Sequence, residues 1–310
     1  MRIHARPAAL ALVALALSAA GCGDDKTTPA AGSANGGSAA CPDGKVRFGI
    51  EPYEDPAKLT PAYEVLATAL ERELGCPVEL TIVEDYSAEV LAMENGKLEM
   101  AQFGPLGFVF ASERAGAEPV ASFGDSKGEL TTYKAGIWVA NDSPIQSLAD
   151  LEGRSLALSE PGSTSGDALP RFALADEAGL DAESDLKLEY AGGHPEALLA
   201  LTNGKVEAAE INTQQLATST QEGQFDESQF RRVWESDPIP NDPITLAAGL
   251  DPAFKTKVKE ALLGLPPADV AKVGAFLDVD PPGPLVPVTK DTYQPLFDLA
   301  ETLGLTEKDV

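Results

Sequence analysis

Ser155-Leu156-Ala157-Leu158-Ser159 is a short apolar run that leads, through Ser163-Thr164-Ser165-Gly166, into a helical-looking segment from Asp167 to Gly179. A strand that passes through a hydroxyl-rich turn into a helix start is half of a βα unit, and it sets an α/β reading of the chain. The same turn is a candidate anion site. The first N–H groups of a helix lack partners within it, the helix dipole is positive there, and Ser and Thr hydroxyls add donors. The plain alternative is an ordinary N-cap, for which Ser and Thr are favoured.

Outward from that stretch, strand and helix signals alternate from residue 45 to residue 310. Strand candidates are Val46–Ile50, Val78–Val83, Met100–Phe103, Val120–Phe123, Gly136–Ala140, Ser155–Ser159, Leu186–Tyr190, Ala208–Ile211, Arg231–Trp234 and Ile244–Ala248. Helices are expected at Pro61–Leu74, Ser87–Asn95, Leu106–Ala115, Ser147–Leu151, Asp167–Ala178, Pro195–Asn203, Gln214–Ser219, Ala253–Gly264, Pro267–Phe276 and Thr292–Leu303. The alternation predicts mixed, mostly parallel sheets. About 265 residues exceed the usual size of one domain, so two lobes are expected. Two stretches share one grammar: Val78–Phe103 and Leu186–Ile211 each read strand, helix, Asn-Gly-Lys, strand, with Asn95-Gly96 and Asn203-Gly204 ending the helices.

The amino terminus reads as an address. Arg2 and Arg6 precede an apolar core, Ala8 to Leu17, and Leu17-Ser18-Ala19-Ala20-Gly21-Cys22 follows. This resembles the lipobox of bacterial lipoproteins, which implies that residues 1–21 are removed and that lipid is carried on Cys22, unless Cys22 is incidental to a plain secretory signal. No later segment is apolar for the roughly 18 residues that a membrane span needs. Residues 22–44 read as a flexible tether, since Gly23 to Ala40 holds only small and polar residues. Eighteen such residues reach roughly 24 Å root-mean-square. Export places Cys41 and Cys76 in an oxidising compartment, so a structural Cys41–Cys76 disulfide is expected.

The formal net charge is −26, and loss of residues 1–21 takes two Arg and no acid with it, leaving −28. Nucleic-acid binding needs a basic face and is excluded. An anion site on such a chain cannot rely on long-range attraction and has to work through short-range donors in a water-poor cleft.

Further motifs follow in order: Phe48-Gly49-Ile50-Glu51-Pro52, Asp85-Tyr86, Gln102-Phe103-Gly104-Pro105, Asp142-Ser143-Pro144-Ile145, Leu148-Ala149-Asp150-Leu151-Glu152-Gly153, the Ser163–Gly166 turn, Ala191-Gly192-Gly193-His194, Asn212-Thr213 and Ile239-Pro240-Asn241-Asp242-Pro243-Ile244. Over about residues 45–280 this series resembles the phosphate/phosphite/phosphonate substrate-binding proteins of ABC importers. The resemblance implies a class II periplasmic binding protein fold: two α/β lobes joined by two crossovers, with lobe one at about 45–133 plus 245–310 and lobe two at 134–244. It further implies a monomer that clamps its ligand between the lobes and hands it to a membrane ABC permease, working at the periplasmic or outer face of the membrane. No cofactor is implied.

Ser163, Thr164 and Ser165 match the family's phosphoryl-cradling motif, where hydroxyl and backbone N–H donors meet phosphoryl oxygens. Tyr86, at a strand-to-helix junction, and Tyr133, near the first expected crossover, match ligand tyrosines; Tyr86 also fits a half-buried Tyr bonded to backbone. His194 is the only histidine left once His4 departs with the signal. Pro195 suits a first helical position, which puts His194 at the cap, and His is not a favoured cap. A lone His also argues against a His-based metal site. Asp242 matches a carboxylate that faces the ligand from the second crossover; it repels an anion unless a proton lies between them, and so selects protonated oxyanions. The alternative is a turn Asp before Pro243.

Gln214 departs from the pattern, since aminoalkylphosphonate binders of this family carry glutamate there. A neutral amide does not pair an ammonium group as a carboxylate does, which counts against 2-aminoethylphosphonate and for phosphite, methylphosphonate or phosphate. Gln102 departs from the aromatic often found before this Phe-Gly or Tyr-Gly, and the direction of Glu210 on its strand is open. Catalysis is not expected: Gly162–Gly166 is not a G-x-S-x-G elbow, and no HExxH, P-loop or GxGxxG is present. A lipoprotein sensor of the same fold, or a binder of another small anion such as a sulfonate, would carry the same features.

Overall fold

A computed structural model of the chain describes residues 41–305. The expected signal peptide, Cys22 and most of the expected tether lie outside the described residues. The last stretch assigned to the tether is Pro42–Gly44, a short turn held beside the Cys41–Cys76 disulfide. That bond joins the entry of the first strand to the loop after the first helix.

The first strands and helices are β1 (Val46–Ile50), α1 (Pro56–Leu74), β2 (Val78–Ile82), α2 (Tyr86–Glu94), β3 (Met100–Gln102), α3 (Pro105–Ala115) and β4 (Glu118–Phe123). The chain then crosses by β5 (Thr132–Tyr133) to β6 (Gly136–Ala140), β7 (Ser155–Leu158), α4 (Leu169–Ala178), β8 (Lys187–Tyr190), α5 (His194–Thr202), β9 (Ala208–Glu210), α6 (Thr213–Gln221) and β10 (Phe230–Glu235). It returns by β11 (Ile239–Pro240) to β12 (Ile244–Leu246), α7 (Pro252–Gly264), α8 (Pro267–Phe276), β13 (Leu285–Val286) and α9 (Gln294–Leu303). One sheet has the order β13-β4-β12-β3-β1-β2, the other β10-β6-β9-β7-β8, and the two crossings pair with each other as β5 and β11.

The sheets are mixed, but not mostly parallel. Among the described residues, parallel pairing is confined to β1 with β2 and β3, and to β7 with β8 and β9. Pairs made by β6 and β12 are antiparallel. The reason is topological. Strands fed by a βα crossover all end at one edge of their sheet, whereas β6 and β12 are entered from the crossings and start at that edge. The shared edge therefore collects the carboxyl ends of β1, β3, β7, β8 and β9, where an open α/β sheet carries its ligands.

Local chemistry sets the helix starts. α1 begins at Pro56, five residues before the Pro61 expected from the sequence, because Asp55 accepts the Ala57 N–H at 2.8 Å and Pro56 suits the first turn. α4 is preceded by a π-helical turn, Thr164–Ala168, in which the N–H groups of both Asp167 and Ala168 donate to the Ser163 carbonyl. Core side chains pack on both faces of each sheet. Phe48, Leu66 and Leu70 fill one side of the first sheet, and Phe103, Phe108 and Tyr293 belong to the other. Leu156, Leu158 and Leu174 form one core of the second sheet, with Trp138, Leu198 and Phe225 in the other. No helix among the described residues is long and apolar enough to cross a membrane.

Candidate functional site

Tyr86, Tyr133, Ser163, Thr164, Ser165, His194, Gln214 and Asp242 all line one cavity, together with Glu51, Tyr53, Glu54, Gly104, Asn212, Gln215, Thr218 and Phe276. These residues come from the ends of β1, β3, β7, β8 and β9, the starts of α2, α5 and α6, and both crossings. Every residue singled out from the sequence for ligand binding is brought to the same place.

The Ser163 hydroxyl accepts the Gly166 N–H at 3.1 Å, so this side chain is an N-cap as well as part of the cavity wall. The Thr164 hydroxyl accepts the Leu106 N–H of α3 at 2.8 Å, which ties the turn to the first sheet's side of the cavity. Asn212 donates to the Ser165 hydroxyl at 3.2 Å. The turn closes tightly on its surroundings at Gly166, where a Cβ atom would fall 1.9 Å from the Ser159 hydroxyl and 2.8 Å from the His194 ring.

His194 is the first residue of α5, and Gly193 takes the cap position expected for His194. Gly193 stays extended and leaves the imidazole at the mouth of the helix. The ring sits between two oxygens: Nε2 lies 3.3 Å from the Ser163 hydroxyl, and Nδ1 lies 2.6 Å from a Glu210 carboxylate oxygen. Burial pulls the imidazole pKa down, but Glu210, and behind it Glu160 and Asp242, outweigh burial and hold it above its usual value. The row Ser163–His194–Glu210 has the order of nucleophile, base and orienting carboxylate. An imidazole favoured in its charged form is a poor base but a good charged donor to an oxyanion. Glu210, whose direction the sequence left open, is fully buried and turned toward the His194 ring.

Asp242 sits between β11 and β12, with its backbone held by Ser122, whose hydroxyl donates to the Asp242 carbonyl at 2.9 Å. Burial pushes its carboxyl up to about 7, against a smaller opposing pull from Gln102 and His194. Gln214 uses its amide nitrogen inside the protein, donating to the Asn241 side chain at 3.1 Å and the Leu277 carbonyl at 3.4 Å. The phenols of Tyr86 and Tyr133 are pushed well above their usual range, chiefly by burial and then by the carboxyls around them. Eight wall residues were not singled out from the sequence, Glu51, Tyr53 and Asn212 among them. Glu51 stands in the quoted Phe48–Pro52 motif, but nothing in that run shows which way it faces.

The cavity is small and acid-rich. Glu51, Glu54 and Asp242 line it, and His194 is the one basic group among its wall residues. About 20 Å³ is open to the centre of a water molecule. Taken as a sphere and widened by the roughly 1.4 Å radius of water, that space is a hole about 3 Å in radius.

Sequence comparison places the chain among known proteins. The family described as "ABC transporter, phosphonate, periplasmic substrate-binding protein" matches residues 48–293. The phosphate-import protein PhnD of Mycolicibacterium smegmatis is 29% identical over 217 residues, 67% of this chain and 68% of that protein. The phosphonates-binding periplasmic protein of Escherichia coli is 29% identical over 217 residues, 69% of this chain and 64% of that protein. Among solved structures, PhnD1 of Prochlorococcus marinus in complex with methylphosphonate superposes with a TM-score of 0.73 at 17% identity, covering 84% of this chain and 99% of that one. This is the class II periplasmic binding protein fold, and the chain belongs to the phosphonate periplasmic substrate-binding family of ABC transporters.

Proposed function

We propose that the protein captures one small phosphorus oxyanion (phosphite, methylphosphonate or phosphate) in this cavity and delivers it to an ABC permease. The convergence of eight residues from six separate stretches of sequence on one hole of tetrahedral-ion size carries the proposal. Ser163, Ser165 and the charged imidazole of His194 supply donors, and Asp242 shares a hydrogen with a ligand oxygen. Residues 45–133 with 245–310 act as one lobe and 134–244 as the other, hinged at the paired crossings β5 and β11 and closing over the ion. Cys22 carries lipid that leashes the protein to the cell envelope, and the protein acts as a monomer without turning over its ligand.

Position 214 offers an amide and not a carboxylate to an ammonium group, so 2-aminoethylphosphonate is a poor ligand. The test is isothermal titration of ligand-stripped protein with phosphate, phosphite, methylphosphonate, 2-aminoethylphosphonate and sulfate. Tight binding of a small phosphorus anion is expected. Preference for 2-aminoethylphosphonate, or no binding across the series, would overturn the proposal.

A further inference from the structure

α6 presents one stripe toward the first lobe proposed above. Gln214, Thr218 and Glu222 follow at intervals of four, which puts them on one face of the helix. Each has a counterpart across the seam. The Gln214 amide donates at 3.4 Å to the carbonyl of Leu277, which caps α8. Thr218 and Phe276, the last residue of α8, both line the ligand cavity and also a groove of about 340 Å³ beside it, so the two spaces meet at these side chains. Glu222 closes the row: its Oε2 lies 2.6 Å from the Nζ of Lys58 on α1.

Lys58 has a second carboxylate beside it. Its Nζ lies 3.6 Å from Oε1 of Glu54, a cavity-wall residue whose side chain is 4% exposed. One ammonium therefore bridges the cavity wall of the first lobe and the end of α6 in the second. The side chains of Lys58 and Glu222 are 30% and 33% exposed, and a pair so open to water adds little to a rigid fold. Across a hinge its weight is different. A pair that is made only while the lobes are shut puts all of its energy on the shut state.

We propose that Lys58 and Glu222 form a clasp that holds the ligand in: the pair is made as α6 meets α1 and α8 over the cavity, and it breaks before the ion can leave. This rests on the proposed function and deepens it. Lys58 does not line the cavity and is a positioning residue that acts on release through Glu222. Gln214, Thr218 and Phe276 shut with the clasp, but they also wall the ligand. Glu222→Gln cuts the pair, leaves Lys58 beside Glu54 and leaves the cavity lining intact.

The experiment is rapid-mixing measurement of association and release rates in wild type, Glu222→Gln, Lys58→Met and the double variant, at low and high salt. The probe is whichever of phosphate, phosphite and methylphosphonate wild type binds most tightly. Each single variant should release the ion about two- to fivefold faster than wild type at low salt, the range that an exposed pair implies, with a smaller change in association. The double variant should release no faster than the faster single one, because the two changes remove one contact. High salt should bring wild type toward the variants. Lys272→Met is the control: it takes a charge from the same groove without cutting the pair and should release at the wild-type rate. Wild-type release in both single variants, additive effects in the double one, or equally fast release in Lys272→Met overturns the clasp and leaves the proposed function standing. Failure of wild type to bind any phosphorus anion overturns the proposed function and the clasp with it.

Discussion

Replacement of Asp242 by Asn tests the electrostatics of the site without any ligand. The carboxyl lies 4% exposed, and burial lifts its pKa from 3.8 to about 7. Because the folded value is raised, its contribution to stability is complete below the unfolded pKa and is lost as pH rises through the folded one. Between those limits the unfolded chain ionises Asp242 while the folded chain keeps the proton, so folding grows less favourable. At about 1.36 kcal/mol per unit, the interval from pH 5 to pH 7 removes roughly 3 kcal/mol. His194, also raised, acts in the same direction, so the variant has to be compared with wild type at each pH. The assay is urea unfolding in phosphate-free buffer at pH 5 and pH 8. Wild type should lose about 3 kcal/mol more than Asp242→Asn over that range. Parallel losses in the two proteins would refute a buried, proton-holding Asp242.

Ser163→Ala and His194→Ala should each weaken binding of the preferred ion by about 1–3 kcal/mol, the usual cost of stranding a charged hydrogen-bond partner; unchanged dissociation constants in both would remove them from the site. Gly166→Ala forces a methyl group onto Ser159 and His194 and should cost about 1–3 kcal/mol of stability along with most of the binding; wild-type affinity would show that the turn is slack. Cys41 and Cys76 close a loop of 35 residues, so reducing the bond should lower unfolding free energy by about 3–4 kcal/mol, read as a shift of the urea midpoint, with binding retained. A midpoint indifferent to reductant would contradict the bond's structural role.

The parts of the fold that were legible in the sequence are those with local causes. Gly136–Ala140 is an unbroken apolar run and Val46–Ile50 is one interrupted only by Arg47, and the structure forms strands over the same residues. α8 starts and stops where its proline and its apolar spacing place it. The crossings were not legible as strands: β5 and β11 are two residues each, and β11 ends in Pro240, so only their pairing with each other defines them. Strand direction was misjudged for the same reason, since β6 and β12 take theirs from the crossings and not from any local signal. At the site, hydroxyls in a turn and a lone His at a helix start were visible as chemistry. Glu51 and Glu210 were visible only as charges near strand ends. Their direction is set by packing, and that is a tertiary property. Gln214 shows the converse: its identity was informative, but its amide is spent on Asn241 and Leu277.

The most direct test of the central claim is a crystal structure of the protein grown with methylphosphonate. The account predicts one tetrahedral ion between Tyr86, Tyr133, the Ser163–Ser165 turn, His194 and Asp242, with its oxygens within hydrogen-bond distance of Ser163, Ser165 and the His194 ring. An ion bound elsewhere, or this cavity filled only by water at saturating ligand, would contradict it.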